Sequence, residues 1–220
     1  MLFHAFDALK KKVEGEAIHG DFFFVQIGAH DGVRVDPIHA FILEYAWKGI
    51  LVEPSKEHFE KLKKNYHGVP GLSFENNAIS DTEGDYALFG VSEKAPALTA
   101  FLGRALNSFS EEVILSSRWY IPGLKHWIVS EKVHGITLQS LISKYSLSNI
   151  DLLAVDTEGY DWNVIKQVDF ANLKPRMIYF EISHLSPEVK EECFKTLKGE
   201  GYSIVTDIQN AFAYLSTAKR

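Results

Sequence analysis

A single cysteine, Cys193, occurs among 220 residues. One thiol excludes an internal disulfide and a cysteine-built zinc cluster, and it points toward a cytoplasmic setting. Long apolar runs are missing too: none approaches the ~20 residues that span a bilayer. The N-terminal stretch Met1 to Lys12 lacks the charged-then-apolar order of a secretion signal. It reads as an amphipathic helix within residues 1–20, with Leu2, Phe6 and Leu9 on one face. Basic residues are outnumbered, 23 to 29, which leaves a net charge of −6. That balance argues against a nucleic-acid-binding surface. Phosphate-cradling loops are absent as well. No G-x-G-x-x-G occurs after a strand, and no Lys-Ser/Thr pair closes a P-loop. No internal repeat or low-complexity segment stands out, and the length suits one domain over 1–220.

What is present begins at Phe22-Phe23-Phe24-Val25-Gln26-Ile27-Gly28-Ala29-His30-Asp31-Gly32. An apolar run reads as a buried strand, and it breaks into a turn with two glycines. Gly28 and Gly32 allow a ligand to lie against bare backbone. About twenty residues on, a second apolar run, Gly49-Ile50-Leu51-Val52, ends in Glu53, where a carboxylate can accept hydrogen bonds from ribose hydroxyls. With Ala29, His30 and Asp31 between the glycines, no glycine is placed for a pyrophosphate. An adenosine cofactor without phosphates, S-adenosylmethionine, fits this spacing better than a dinucleotide.

Strand-like and helix-like segments then alternate. Asp36-Pro37 reads as an N-cap and first helical residue, with Ile38, Phe41, Ile42 and Tyr45 as the apolar stripe. Ser55 is placed to cap the next helix, which carries Phe59 and Leu62. Leu72 to Ile79 reads as a third strand and Tyr86 to Val91 as a short extra one. From 92 to 130 the periodicity is poor. The segment reads either as an acceptor-binding insertion or lid, or as a stretch hiding a helix near 110–117. The pattern resumes with a strand over 133–138, a helix through Leu141 and Ile142, and a strand over 150–155. A helix with Trp162, Ile165 and Val168 follows, then a strand over 177–182. Ser186-Pro187 opens a helix that stops at Gly199 and Gly201. A hairpin of 202–206 and 211–215 closes the chain. This order predicts an α/β, Rossmann-like, mainly parallel sheet with helices on both faces and an antiparallel terminal hairpin. Such sheets bind ligands at the carboxyl ends of their strands. The glycine turn, Glu53, Asn77 to Asp81, Asp156, and Glu181 with His184 should therefore share one rim.

Four blocks in order carry a resemblance: Val25 to Gly32, Val52-Glu53-Pro54-Ser55, Asn77-Ala78-Ile79-Ser80-Asp81, and Ile150 to Asp161 with its Asp156-Thr157-Glu158-Gly159-Tyr160-Asp161. Together they resemble the FkbM-type family of S-adenosylmethionine-dependent methyltransferases. The resemblance implies a seven-stranded class I fold and O-methylation of sugar or natural-product hydroxyls. It also implies that Gly28, Ala29 and Gly32 line the methionine and ribose part of the cofactor and that Glu53 holds the ribose. Asn77, Ala78 and Asp81 would flank the adenine, and Asp156 would stand beside the methyl. The chain departs from the family pattern at Gln26, where an acid is usual and would contact the methionine amino group. It departs again at Ala154, where a lysine is common.

A hydroxyl acceptor is a poor nucleophile, so a base near the methyl is expected, and His184 or Asp156 is placed to supply it. His134 and His126 are weaker candidates. Asp156, Glu181 and His184 also suit a divalent metal such as Mg, which would acidify the acceptor. Trp119, Tyr120 and Trp127 are candidates for stacking on a glycan or small-molecule acceptor. Two other functions stay open from the sequence: an NAD-type oxidoreductase and a non-catalytic cofactor-binding module.

Overall fold

Apolar runs that alternate with period 2 fold into a sheet with two buried faces. The computed structural model describes residues 4–15, 21–34, 36–103, 106–117 and 120–215. Its strands are β1 (Phe23–Ile27), β2 (Lys48–Val52), β3 (Leu72–Glu75), β4 (Ala78–Ile79), β5 (Gly84–Val91), β6 (Asn107–Ser108), β7 (Ile128–Ile136), β8 (Leu152–Val155), β9 (Met177–Glu181), β10 (Tyr202–Thr206) and β11 (Asn210–Leu215). Its α-helices are α1 (His4–Gly15), α2 (His39–Tyr45), α3 (Lys56–Asn65), α4 (Ala97–Gly103), α5 (Glu111–Ser116), α6 (Leu138–Tyr145), α7 (Asp161–Ile165) and α8 (Pro187–Gly199). Seven strands form the main sheet in the order β10-β11-β9-β8-β1-β2-β3. All are parallel except β11, which runs antiparallel to β9 and β10. The Rossmann-like α/β sheet expected from the sequence is what the chain forms.

The pleat sorts the side chains. Val25, Ile27, Ile50, Val52, Leu153, Val155, Ile178 and Phe180 face one way and pack with residues of α6, α7 and α8. Phe24, Leu51, Leu152, Ala154, Met177 and Tyr179 face the other way and pack with Leu9, Phe41 and Leu62 of α1, α2 and α3. Gln26 has the parity of Phe24. It stands in register beside Ala154, which stands beside Tyr179. This lateral row carries the polar end of the sheet into the site.

Several expectations change here. The third strand is two strands: β3 pairs with β2, but β4 leaves the sheet and pairs with β7. Asn76 makes the break, donating its side-chain amide to the carbonyls of Glu53 at 2.9 Å and Pro54 at 3.0 Å. The strand expected over 133–138 spans Ile128–Ile136 instead and pairs antiparallel with β5 along its length. The order β4-β7-β5-β6 makes a second sheet of four strands. The segment 92–130 is therefore built rather than irregular, with α4, α5 and a 3-10 turn, Leu124–His126, around a small core of Leu106, Ile114, Ile121 and Leu124. The helix suspected near 110–117 is α5, capped by Ser110, whose side chain accepts from the Val113 amide. Helix α2 starts at His39, later than Asp36-Pro37 suggested, although Asp36 still accepts the amides that precede it. Ser55 stands at the N-cap of α3 without a side-chain capping bond. The N-terminal helix expected within 1–20 runs His4–Gly15, and the remainder of that range lies outside the described residues. Among the described residues, no helix is long and apolar enough to cross a membrane.

Candidate active site

The first turn of the site is fixed by backbone geometry. After β1 the chain turns at Gly28, φ +81°, and the amides of Gly28 and Ala29 both donate to the Val52 carbonyl at 3.0 Å. A Cβ on Gly28 would lie 1.7 Å from the Asp156 carbonyl oxygen. Both partners are backbone at adjacent strand ends, so neither yields cheaply. Gly28→Ala is expected to cost about 3 kcal/mol or more, from overpacking added to a left-handed φ, and to disorder the rim. Denaturant unfolding of the variant checks this. Gly32 also has positive φ, +72°, for a different reason. A Cβ there would meet Tyr66 and Leu62 at 2.4 and 2.5 Å, so Gly32 serves packing against α3 and stands outside the cavity wall.

The rim encloses a cavity of about 450 Å³, within the range of small-molecule sites. Gln26, Gly28, Ala29, Glu53, Asn77, Ala78 and Asp156 all line it, as expected from the sequence. Glu53 is buried, and its two carboxylate oxygens accept the amides of His30 at 2.8 Å and Ser55 at 2.9 Å. Each oxygen keeps a lone pair for a ligand hydroxyl. Burial pushes the Glu53 carboxyl up to about 7, against the pull of those two amides. Asn77 turns its side-chain amide to Glu75 at 3.1 Å. Ala78, Ile79, Leu88 and Pro54 give the cavity an apolar slot near it.

Besides Gly32, two expected residues are not on the wall. Asp81 is exposed, accepts from Asn163 at 3.3 Å and lies 3.9 Å from the Lys166 ammonium. It sits past the end of β4, away from the apolar slot. His184 stands behind the wall: its Nε2 is 2.9 Å from Glu158 and 3.7 Å from Glu181, and those two glutamates line the cavity in its place. The Glu158 contact, with the Glu181 charge beside it, raises the His184 pKa above the ordinary imidazole value. Carboxylates, and not the His184 ring, therefore face the cavity at this point.

Asp156 is a further carboxylate on this wall, at the end of β8. The residue is exposed where β8 ends and opens onto the cavity. Desolvation, with the negative charges of Glu181 and Asp36, pushes its carboxyl up to about 7. Glu158 sits at φ +49°, with its carbonyl accepting from Ser108 Oγ at 2.8 Å. A non-glycine residue in that region stores strain, and such residues cluster at functional sites. Asp161, fully buried, holds this turn together: it accepts from Thr157 Oγ1 at 3.2 Å and from the amides of Gly159 and Glu181, both at 3.3 Å. Desolvation holds its carboxyl well above the ordinary range.

A metal centre as expected from sequence would have used Asp156, Glu181 and His184. The group whose ligand atoms converge, all within 4.8 Å of one another, is instead Glu158, Glu181 and His184. Asp156 lies outside it because the strand end turns between Asp156 and Glu158. The acceptor-side aromatics are also corrected. Tyr120 and Trp127 do not line the cavity, and neither do His126 and His134; Trp119 lies outside the described residues. The second sheet reaches the cavity through Leu88, Asn107, Ser108 and Phe109. Phe109 is held between Tyr86, stacked at 5.2 Å, and Tyr160, edge-on at 5.2 Å. Phe6 of α1 and Tyr179 of β9 also line the cavity, and neither was singled out for the site by its sequence context.

One electrostatic fact follows from this list. Asp36, Glu53, Asp156, Glu158 and Glu181 line the cavity, and among the described residues Arg34 is the one Lys or Arg there. Ala154, where the family commonly has lysine, adds no charge. Glu53, Asp156 and Glu181 have pKa values pushed to about 7 by burial, and Asp36 to about 6. A carboxyl raised in the fold leaves the unfolded chain to ionise first as pH climbs. Stability is therefore fully present below the unfolded value and is lost as pH rises through the folded one. Glu53 alone, moved from 4.5 to about 7, corresponds to about 3 kcal/mol. The ligand-free protein should unfold at higher denaturant concentration at pH 5.5 than at pH 8, and the reverse order would refute this account of the cavity.

The family model of the methyltransferase FkbM domain matches residues 26–211. Among solved structures, the methyltransferase FkbM from Methylobacillus flagellatus KT aligns with a TM-score of 0.53 at 10% identity, covering 89% of this chain and 44% of that one. The METTL16 MTase domain aligns with a TM-score of 0.52 at 9% identity, covering 94% of this chain and 65% of that one. No curated protein matches the sequence. With its glycine turn, its acid at the end of β2 and its seven-stranded sheet falling inside the matched span, the chain belongs to the methyltransferase FkbM family.

Proposed function

We propose that this protein is an S-adenosylmethionine-dependent O-methyltransferase acting on a hydroxyl of a sugar, glycan or natural product. The observation that carries the reading is the cavity's charge. Five carboxylates and one arginine around a bare-backbone turn favour a cationic nucleoside and repel a pyrophosphate,. The NAD-type alternative loses ground for the same reason. The residues fit the cofactor: Gly28 leaves backbone open beside it, Glu53 offers two oxygens to the ribose, and Asn77, Ala78 and Leu88 bound a slot for the base. When bound, the cofactor supplies an electrophilic methyl on a sulfonium.

The chain's own contribution is alignment and proton handling. The ends of β1, β2 and β8 fix the donor, and alignment of this kind can contribute up to roughly 7–11 kcal/mol. Asp156, poised at about 7, accepts the acceptor's hydroxyl proton near neutral pH. Glu158, His184 and Glu181 hold the wall beside it. Phe109 and Tyr160 present ring surfaces for the acceptor. Titration with S-adenosylhomocysteine, followed by a methyl-release assay on glycan pools, tests the reading. Binding without transfer to any of a broad acceptor set would support the non-catalytic module instead.

A divalent cation is a second reading, favoured by the convergence of Glu158, Glu181 and His184. Held there, an ion such as Mg²⁺ would lower the acceptor hydroxyl's pKa. Loss of turnover on exhaustive chelation, with recovery on adding Mg²⁺, would support it; unchanged turnover would end it.

A further inference from the structure

Two buried acceptor oxygens sit side by side on the cavity wall, from residues whose side chains meet. Gln26 is 5% exposed at the end of β1, and its Oε1 has no hydrogen-bond partner; neither has Oδ2 of Asp36. Both residues line the cavity. The other oxygen of Asp36 is fully employed, accepting the amides of Ile38 at 2.8 Å and His39 at 3.1 Å ahead of α2. Those two turn bonds account for Oδ1; the Gln26 side-chain amide lies beside the same carboxylate, and Oδ2 is left without a charged partner on the wall. An unpaired buried acceptor is costly, and an unpaired buried carboxylate more so unless a cation meets it. Among the described residues, Arg34 is the only basic side chain of Lys or Arg type on the wall, and it lies 3.6 Å from Asp31 with its side chain largely exposed.

We propose that Gln26 Oε1 and Asp36 Oδ2 together seat a primary ammonium of the bound ligand, with Asp36 supplying the negative charge that position 26 does not. This rests on the proposed cofactor, whose amino-acid arm carries such a group. The pleat explains the division of labour. Gln26 is fixed by strand parity beside Ala154, where no side chain competes for the space. Asp36 arrives from the loop before α2, anchored through its turn bonds, so its free oxygen is positioned before any ligand enters. The consequence is selectivity: the site discriminates nucleosides by their amino-acid arm and not by their base and sugar alone.

Calorimetric titration of wild type and variants with two probes tests this. S-adenosylhomocysteine has the ammonium, and 5′-methylthioadenosine lacks the whole arm. Asp36→Asn is expected to weaken S-adenosylhomocysteine by between about 10- and 100-fold, the scale of a hydrogen bond to a charged group, and to leave 5′-methylthioadenosine unchanged. The double variant Gln26→Glu with Asp36→Asn, which moves the charge across the pair, is expected to recover most of that loss. Equal weakening of both probes in Asp36→Asn, without recovery in the double variant, would reduce Asp36 to a brace of the turn before α2 and overturn the proposal. So would wild-type affinity for S-adenosylhomocysteine in Asp36→Asn. Wild-type protein that binds neither probe would refute the cofactor reading itself, and the ammonium seat with it.

Discussion

Asparagine at position 156 is expected to lower kcat by about 10²–10⁴-fold, the usual contribution of a positioned base, while S-adenosylhomocysteine binds nearly as it does to wild type. The reasoning is geometric before it is electrostatic. Asp156 opens onto the cavity at the end of β8, in contact with the turn that presents the donor. Asparagine keeps the shape and the backbone contact to Gly28 but has no basic oxygen. The pH profile supplies an independent reading. With the carboxyl at about 7, the working form is ionised, so wild-type kcat should climb as pH rises through that region. The residual rate of Asp156→Asn should lose this limb. A variant with full turnover and an unaltered profile would remove Asp156 from the mechanism.

Loss of the Glu53 carboxylate is expected to be as damaging to binding. Two ribose hydroxyls donating to a charged acceptor contribute about 1.5–3 kcal/mol each, so Glu53→Ala should weaken S-adenosylhomocysteine by at least about 100-fold. Part of the loss comes through the protein, since Glu53 also accepts the His30 amide that shapes the glycine turn. Glu53→Gln, close in shape, retains some of these bonds and should fall between alanine and wild type. Titration calorimetry reads all three. An unchanged dissociation constant in Glu53→Ala would place the pentose elsewhere and would dismantle the donor-site assignment.

The sheet was legible because its signal is local and doubled. Runs such as Ile150 to Val155 are apolar on both faces, as a central parallel strand must be, and the polar residues at their ends mark the rim. The second sheet was hidden because its strands obey weaker rules. β7 exposes Val129, Ser130, Glu131 and Lys132, so only its last residues look like a strand. β4 is two residues long, and its departure from β3 depends on Asn76 bonding to a loop more than twenty residues earlier in the chain. Among site residues, Glu53 and Asp156 were readable from position alone. His184 was placed on the correct rim and on the wrong layer, because the turn through Ile182 and Ser183 decides which way the ring points. Asp36 announced itself as the cap, but Ile38 holds that place and Asp36 braces the turn before it; its second oxygen acquires meaning only when Gln26 is folded beside it. Phe6 and Tyr179 looked like core, and they become wall because a sheet that buries both faces ends somewhere.

The hand-off at Asn76 has an evolutionary corollary. Most residues proposed to hold the nucleoside come from the primary sheet and its loops, but Ala78 and Leu88 of the proposed base slot belong to the second sheet, as do Asn107 and Ser108. Drift in the stretch from Gly84 to Ile136 would therefore reach the proposed base slot through Leu88 as well as the acceptor side through Phe109.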